Sequence, residues 1–158
     1  MSACARSRER CPGYTLVEVV LVLAILGLCA GIAVPRFANS IALHRAEAAG
    51  ERLVVDLTLA RQQARQSSAS RTITFDSVAH SYSIAGVAGL DNQQATYSVV
   101  LTREPYNARI ASVDLGGNNT ITFDGYGAPD CGGSIVVSVG RFQVTVTVDA
   151  ATGKATAN

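Results

Sequence analysis

A single carboxylate, Glu18, stands inside an otherwise apolar stretch. Residues 19–34 carry no charged or strongly polar side chain, and with 14–17 the segment reaches the ~20 residues needed to cross hydrocarbon. An ionisable group near membrane depth costs ~2.5 kcal/mol or more at the bilayer centre, so it marks a function by default. The chemistry open to Glu18 is charge pairing. If the chain began at Tyr14, a free amine and the unsatisfied N–H groups of a helix start would place positive charge one turn away. The carboxylate could then satisfy its own terminus or reach the amine of a neighbouring subunit. The alternative is an interfacial glutamate solvated by headgroups.

Other reactive side chains form no constellation. His44 falls on a helix and His80 in a turn, and neither has the neighbours of a nucleophile–base triad. Cys4 and Cys11 precede the apolar run, Cys29 lies within it and Cys131 is far downstream, so no disulfide framework or zinc spacing arises. Asp124, Asp130 and Asp149 sit in loops, but their spacing is not that of an EF-hand calcium loop and turn-forming Asp is the plainer reading. No metal, no cofactor and no catalytic residue is expected.

The elements that must position Glu18 begin with a basic leader. Arg6, Arg8 and Arg10 against Glu9 keep this end cytoplasmic under the positive-inside rule. A secretory signal has its small-residue cleavage site after the apolar run, whereas here Gly13 comes before it. Removing residues 1–13 would leave the hydrophobic segment as the N-terminus. Leu26-Gly27-Leu28-Cys29 is superficially similar to a lipoprotein box, but a Leu precedes the Cys and Glu18 would interrupt the apolar core.

Gly27 and Gly31 form a GxxxG pair that lets a second helix approach closely in lipid. Pro35 is expected to end or kink the first helix near the outer membrane face. Beyond it, Phe37, Ile41, Ala46, Ala49, Leu53, Leu57, Ala60 and Ala64 recur at helical spacing to about Gln66. Gly50 weakens that helix and allows a bend. Counted from Tyr14 the rod would be ~80 Å long at ~1.5 Å per residue, so its outer half must find a partner.

From Arg71 the period changes to two. Residues 71–76, 81–85, 96–101, 108–113, 120–124, 134–139 and 142–148 read as strands, with Gly116-Gly117-Asn118-Asn119, Asp124-Gly125-Tyr126-Gly127, Gly140 and Thr152-Gly153-Lys154 as turns. The fold class is α+β, with the second half of a long N-terminal helix packed on an antiparallel sheet or two-sheet head. The segments are 1–13, 14–35, 36–66 and 67–158. The full chain is +1, and loss of a leader of net +2 leaves −1, so net charge gives no support for a nucleic-acid partner.

Gly13-Tyr14-Thr15-Leu16-Val17-Glu18 ahead of an apolar run and Pro35 resembles the class III leader of type IV pilins and type II secretion pseudopilins. The family has Gly, an aromatic, Thr, Leu, an aliphatic and Glu, with Phe commoner than Tyr at the second place. The stretch Leu57-Thr-Leu-Ala-Arg-Gln-Gln-Ala-Arg65, the Phe123-Asp-Gly-Tyr-Gly127 turn and the closing Thr152-Gly153-Lys154, where the family usually ends in Arg, are similar to GspH/FimT-like minor pseudopilins and pilins.

The resemblance implies cleavage between Gly13 and Tyr14 by a prepilin peptidase, N-methylation of Tyr14, and Glu18 as the assembly contact. It implies a single-pass subunit with its leader in the cytoplasm, its span in the bacterial inner membrane and its head in the periplasm. Its partners would be other pseudopilins or pilins and, indirectly, an assembly platform and a secretin. The function implied is a structural minor pseudopilin of a type II secretion pseudopilus, not an enzyme. The alternative is a type IV pilus minor pilin that captures DNA. That would need a phosphate-binding patch, for which the chain offers Arg103, Arg109, Arg141 and Lys154, and a gel shift at two salt concentrations discriminates.

Overall fold

The computed structural model describes residues 14–88 and 96–158, without the side chains of 32–36 and 88. The predicted leader, including Gly13, lies outside the described residues. The element order is one helix, α1 (Leu16–Ser67), then β1 (Arg71–Asp76), β2 (Ser81–Ala88), β3 (Thr96–Val100), β4 (Arg109–Asp114), β5 (Thr120–Phe123), β6 (Gly133–Val139), β7 (Phe142–Val148) and β8 (Ala155–Ala157). The chain divides into an N-terminal unit ending at Ala38 and a head, Asn39–Asn158.

Pro35 does not end the helix, because α1 carries through it to Ser67. A proline inside a helix forfeits one backbone bond and crowds the turn before it, a local cost that the helix absorbs. Within the head, Ala46, Ala49, Leu53, Leu57, Ala60 and Ala64 are buried as the periodicity predicts. Phe37 and Ile41 belong to the same sequence pattern but are exposed, as are Leu43 and Val55. Fully burying a leucine is worth about 1.5–3 kcal/mol, so Leu53 and Leu57 anchor the helix, while the alanines set how near the strands can come.

The head has two antiparallel sheets of four strands, in the orders β3-β2-β1-β5 and β4-β6-β7-β8. Period-2 alternation is visible as burial. In the first sheet Ile73, Phe75, Tyr82, Ile84, Tyr97, Ile121 and Phe123 turn inward; in the second Ile110, Ile135, Val137, Val144, Val146 and Val148 do so. Thr72 and Thr122, paired side by side, share a hydroxyl hydrogen bond of 3.1 Å. All these inward residues and the buried helix stripe form one apolar cluster. β6 and β7 are joined through Gly140, whose φ of 59° suits a tight hairpin.

Gly50 is the point of closest approach between helix and second sheet. A Cβ there would lie 2.6 Å from Val144 Cγ1, so the glycine lets the strand come close. Gly50→Ala gains about 1 kcal/mol of helix propensity and loses more to overpacking, about 1–3 kcal/mol. The expected result is net destabilisation in a denaturant melt, relieved when Val144→Ala is added. A stabilised single variant would show that helix and strand can part freely.

Candidate assembly site and buried polar latch

Thr15 immediately precedes the first helical residue and accepts a hydrogen bond from the Glu18 N–H at 3.3 Å through its Oγ1. Val19 N–H reaches the Thr15 carbonyl at 3.2 Å, closing the first turn. Thr15-Leu16-Val17-Glu18 is therefore a capping-box sequence, with Thr at the cap and Glu three residues on. This signal was readable in the sequence as Thr-x-x-Glu before an apolar run. The cap is worth about 1 kcal/mol, and the acidic side chain in the first turn opposes the positive end of the helix dipole.

Tyr14 is 81% exposed and Glu18 is exposed one turn away. Among the described residues the Glu18 carboxylate has no hydrogen-bond partner. The apolar side chains that follow, from Leu16 to Leu28, are likewise exposed all round the helix. A Cβ on Gly27 or Gly31 would meet nothing within 4 Å. Among the described residues no helix is long and apolar enough to cross a membrane. Residues 16–31 fall just short of the ~17–25 a span takes, and the sequence continues the run with Ile32, Ala33 and Val34.

Composition and periodicity missed a second polar site, inside the head. Asp56 is 2% exposed, on the face of α1 otherwise occupied by Leu53, Leu57 and Ala60. Its Oδ2 accepts from Arg52 Nε at 3.1 Å and from the Tyr82 hydroxyl, and its Oδ1 accepts from the Tyr97 hydroxyl at 2.9 Å. Arg52 also donates through Nη2 to the Tyr97 oxygen. The carboxylate is thus satisfied from its own helix and from the two neighbouring strands β2 and β3, as a buried charge requires. Its sequence signal was an Asp, a poor helix former, on the apolar stripe.

Burial and the adjacent Asp56 charge push both tyrosine hydroxyls above their ordinary titration range. Burial alone would lower Arg52, but its bond to Tyr97 and the Asp56 charge hold the guanidinium firmly protonated. With the tyrosine pKa values raised in the folded head, stability is complete below pH 10 and falls as pH rises above it, because only the unfolded chain gives up those protons. Urea midpoints from pH 8 to 11 are expected to decline above pH 10, and less steeply in Tyr82→Phe. A Tyr82→Phe slope equal to wild type would contradict this.

The loop aspartates act as turn caps. Asp124 Oδ1 accepts from the N–H groups of Tyr126 and Ala128, and Asp130 Oδ1 from Thr122 N–H. Asp149 Oδ1 accepts from Thr152 Oγ1 and from the N–H groups of Thr152 and Ala151, which hold its carboxyl below the usual range. Among the described residues no group of three or more His, Cys, Asp or Glu is placed to hold a metal. Cys131 is half-buried and burial beside Asp130 pushes its thiol up to about 11, which leaves it unreactive near neutrality. His44 pairs with Glu47 at 3.2 Å on the exposed helix face. At the far end of α1, Arg61 and Arg65 donate to the carbonyls of Gly127 and Tyr126 and so tie down the Phe123–Gly127 turn.

A capped N-terminal helix with an exposed apolar first part, continued into a head of antiparallel sheets, defines a pilin-like protein. The prokaryotic N-terminal methylation motif matches residues 8–34, and the type II transport protein GspH family matches residues 49–153. The chain belongs to the type II transport protein GspH family. Its fold is that of the minor pseudopilin EpsH from the type 2 secretion system of Vibrio cholerae, with a TM-score of 0.54 at 13% identity over 72% of this chain and 96% of that one. No curated protein sequence matches it.

Proposed function

We propose that this chain is a structural subunit, a minor pseudopilin, of a type II secretion pseudopilus and carries out no catalysis. Prepilin peptidase removes residues 1–13 between Gly13 and Tyr14, and Tyr14 is then N-methylated. Residues 14–35 hold the subunit in the inner membrane with the head in the periplasm. An assembly platform draws the subunit out and stacks it on other pseudopilins, so that the fibre drives protein export through a secretin. In the stack the Glu18 carboxylate pairs with the Tyr14 amine of the adjacent subunit and sets the register. Gly27 and Gly31 let neighbouring helices close up, and the backbone bond forfeited at Pro35 makes that point the hinge.

The observation that carries this reading is an exposed carboxylate with no partner among the described residues, in the Thr15-capped first turn of a helix whose apolar side chains from Leu16 to Leu28 are exposed. A helix polar at one point and apolar elsewhere has little use for a free monomer. Deleting the chain from a cell that exports through this pathway is expected to stop release of secreted proteins into the medium, with restoration by the wild-type chain. Unchanged export on deletion would overturn the reading.

A further inference from the structure

β8 is the edge of the second sheet, and hydrogen-bond alternation leaves one side of it open. Thr145 and Asn158 exchange two backbone bonds of 2.9 Å, and Asp149 N–H donates to the Lys154 carbonyl at 3.0 Å. In an antiparallel ladder the residues between such pairs turn their backbone groups the other way. The N–H and C=O of Ala155 and Ala157 therefore face outward, and among the described residues they have no partner. An edge of this kind is a template for strand addition unless it is blunted by charge, proline or a covering element.

The edge here opens into a groove. A cavity of about 420 Å3 is lined by Leu43, Glu47 and Glu51 of α1 on one wall and by Val144 and Ala157 on the other. Its volume lies in the range of ligand clefts, ~300–1,000 Å3. Leu43, Glu47 and Glu51 are four residues apart and so form one stripe along the helix. The close Gly50–Val144 contact sets the wall spacing. Both charged side chains on the lining, Glu47 and Glu51, are acidic, and Glu47 also bonds the His44 ring.

We propose that this groove takes an extended basic segment of a partner protein as an added strand on β8. The outward N–H and C=O groups of Ala155 and Ala157 supply main-chain pairing. Leu43 and Val144 take an apolar side chain, and Glu47 and Glu51 select Lys or Arg at alternate positions. A second copy of this chain is a poorer occupant, because pairing two β8 edges would bring Glu47 and Glu51 of both copies together.

The test uses the full chain in non-ionic detergent and a fluorescent heptapeptide of alternating lysine and valine, with an alternating glutamate–valine peptide as control. Saturable binding of the lysine peptide alone is expected, weakening as salt screens the exposed pair. The double variant Glu47→Gln, Glu51→Gln, which alters only surface charge, is expected to bind roughly tenfold more weakly. Ala157→Pro removes an outward N–H without touching the β7–β8 bonds and is also expected to weaken binding, with circular dichroism confirming its fold. Equal binding of both peptides, no saturable binding, or affinity unchanged in the double glutamine variant would overturn the proposal. So would cross-linking of two copies through a Thr156→Cys variant.

Discussion

Asp56→Ala is expected to lower the unfolding free energy of the head by about 3 kcal/mol, because breaking a buried charged network strands its remaining partners. The substitution leaves the hydroxyls of Tyr82 and Tyr97 without their acceptor and the part-buried Arg52 without its counter-ion. Some of that loss is recovered where Arg52 reaches solvent, since its side chain is 33% exposed. For a unit of this size the melting temperature is expected to fall by about 10 °C. Asp56→Asn keeps one acceptor and is expected to lose about half as much. A thermal melt of each variant checks this, and a shift for Asp56→Ala within ~0.5 kcal/mol, the range of ordinary surface changes, would mean that the latch does not fasten helix to sheet.

The second large effect lies at the other end of the helix and on another property. Glu18→Ala is expected to leave the head's melting temperature unchanged, because Glu18 belongs to the N-terminal unit and not to the head. Cleavage at Gly13 is expected to continue, whereas incorporation into sheared fibres should fall below detection. Glu18→Gln separates charge from capping. It can still serve at the third helical position of a capping box, so failure of both variants points to the charge, and failure of alanine alone points to the helix start. Normal fibre incorporation of Glu18→Ala would remove the register role altogether.

Much of the head was legible because its signals are local. β1 and β7 fall where alternation places them, and α1 ends at Ser67, one residue beyond the expected Gln66. β8 was missed. Ala155-Thr156-Ala157 is too short to show a period and poor in β-branched residues, so it becomes a strand only through β7, once Thr152-Gly153 reverses the chain. The division into two sheets also escaped local reading, because β1 pairs with β5 across three intervening strands and four connections.

Non-locality likewise hid the latch. Tyr82 and Tyr97 lie 26 and 41 residues from Asp56, and nothing near the aspartate announces them. Phe37 and Ile41 show the reverse error: periodicity marks a helix face as apolar but does not say what covers it. At the N-terminus the motif residues were read from spacing and resemblance, while the reason the helix starts at Leu16 emerged only with the Thr15 bond.

Intact-mass and N-terminal peptide analysis of the chain isolated from membranes tests most directly whether it is processed for assembly. A mature chain beginning at Tyr14 and carrying one additional methyl group is the predicted result. A chain still beginning at Met1, or one beginning at Cys29, would contradict it.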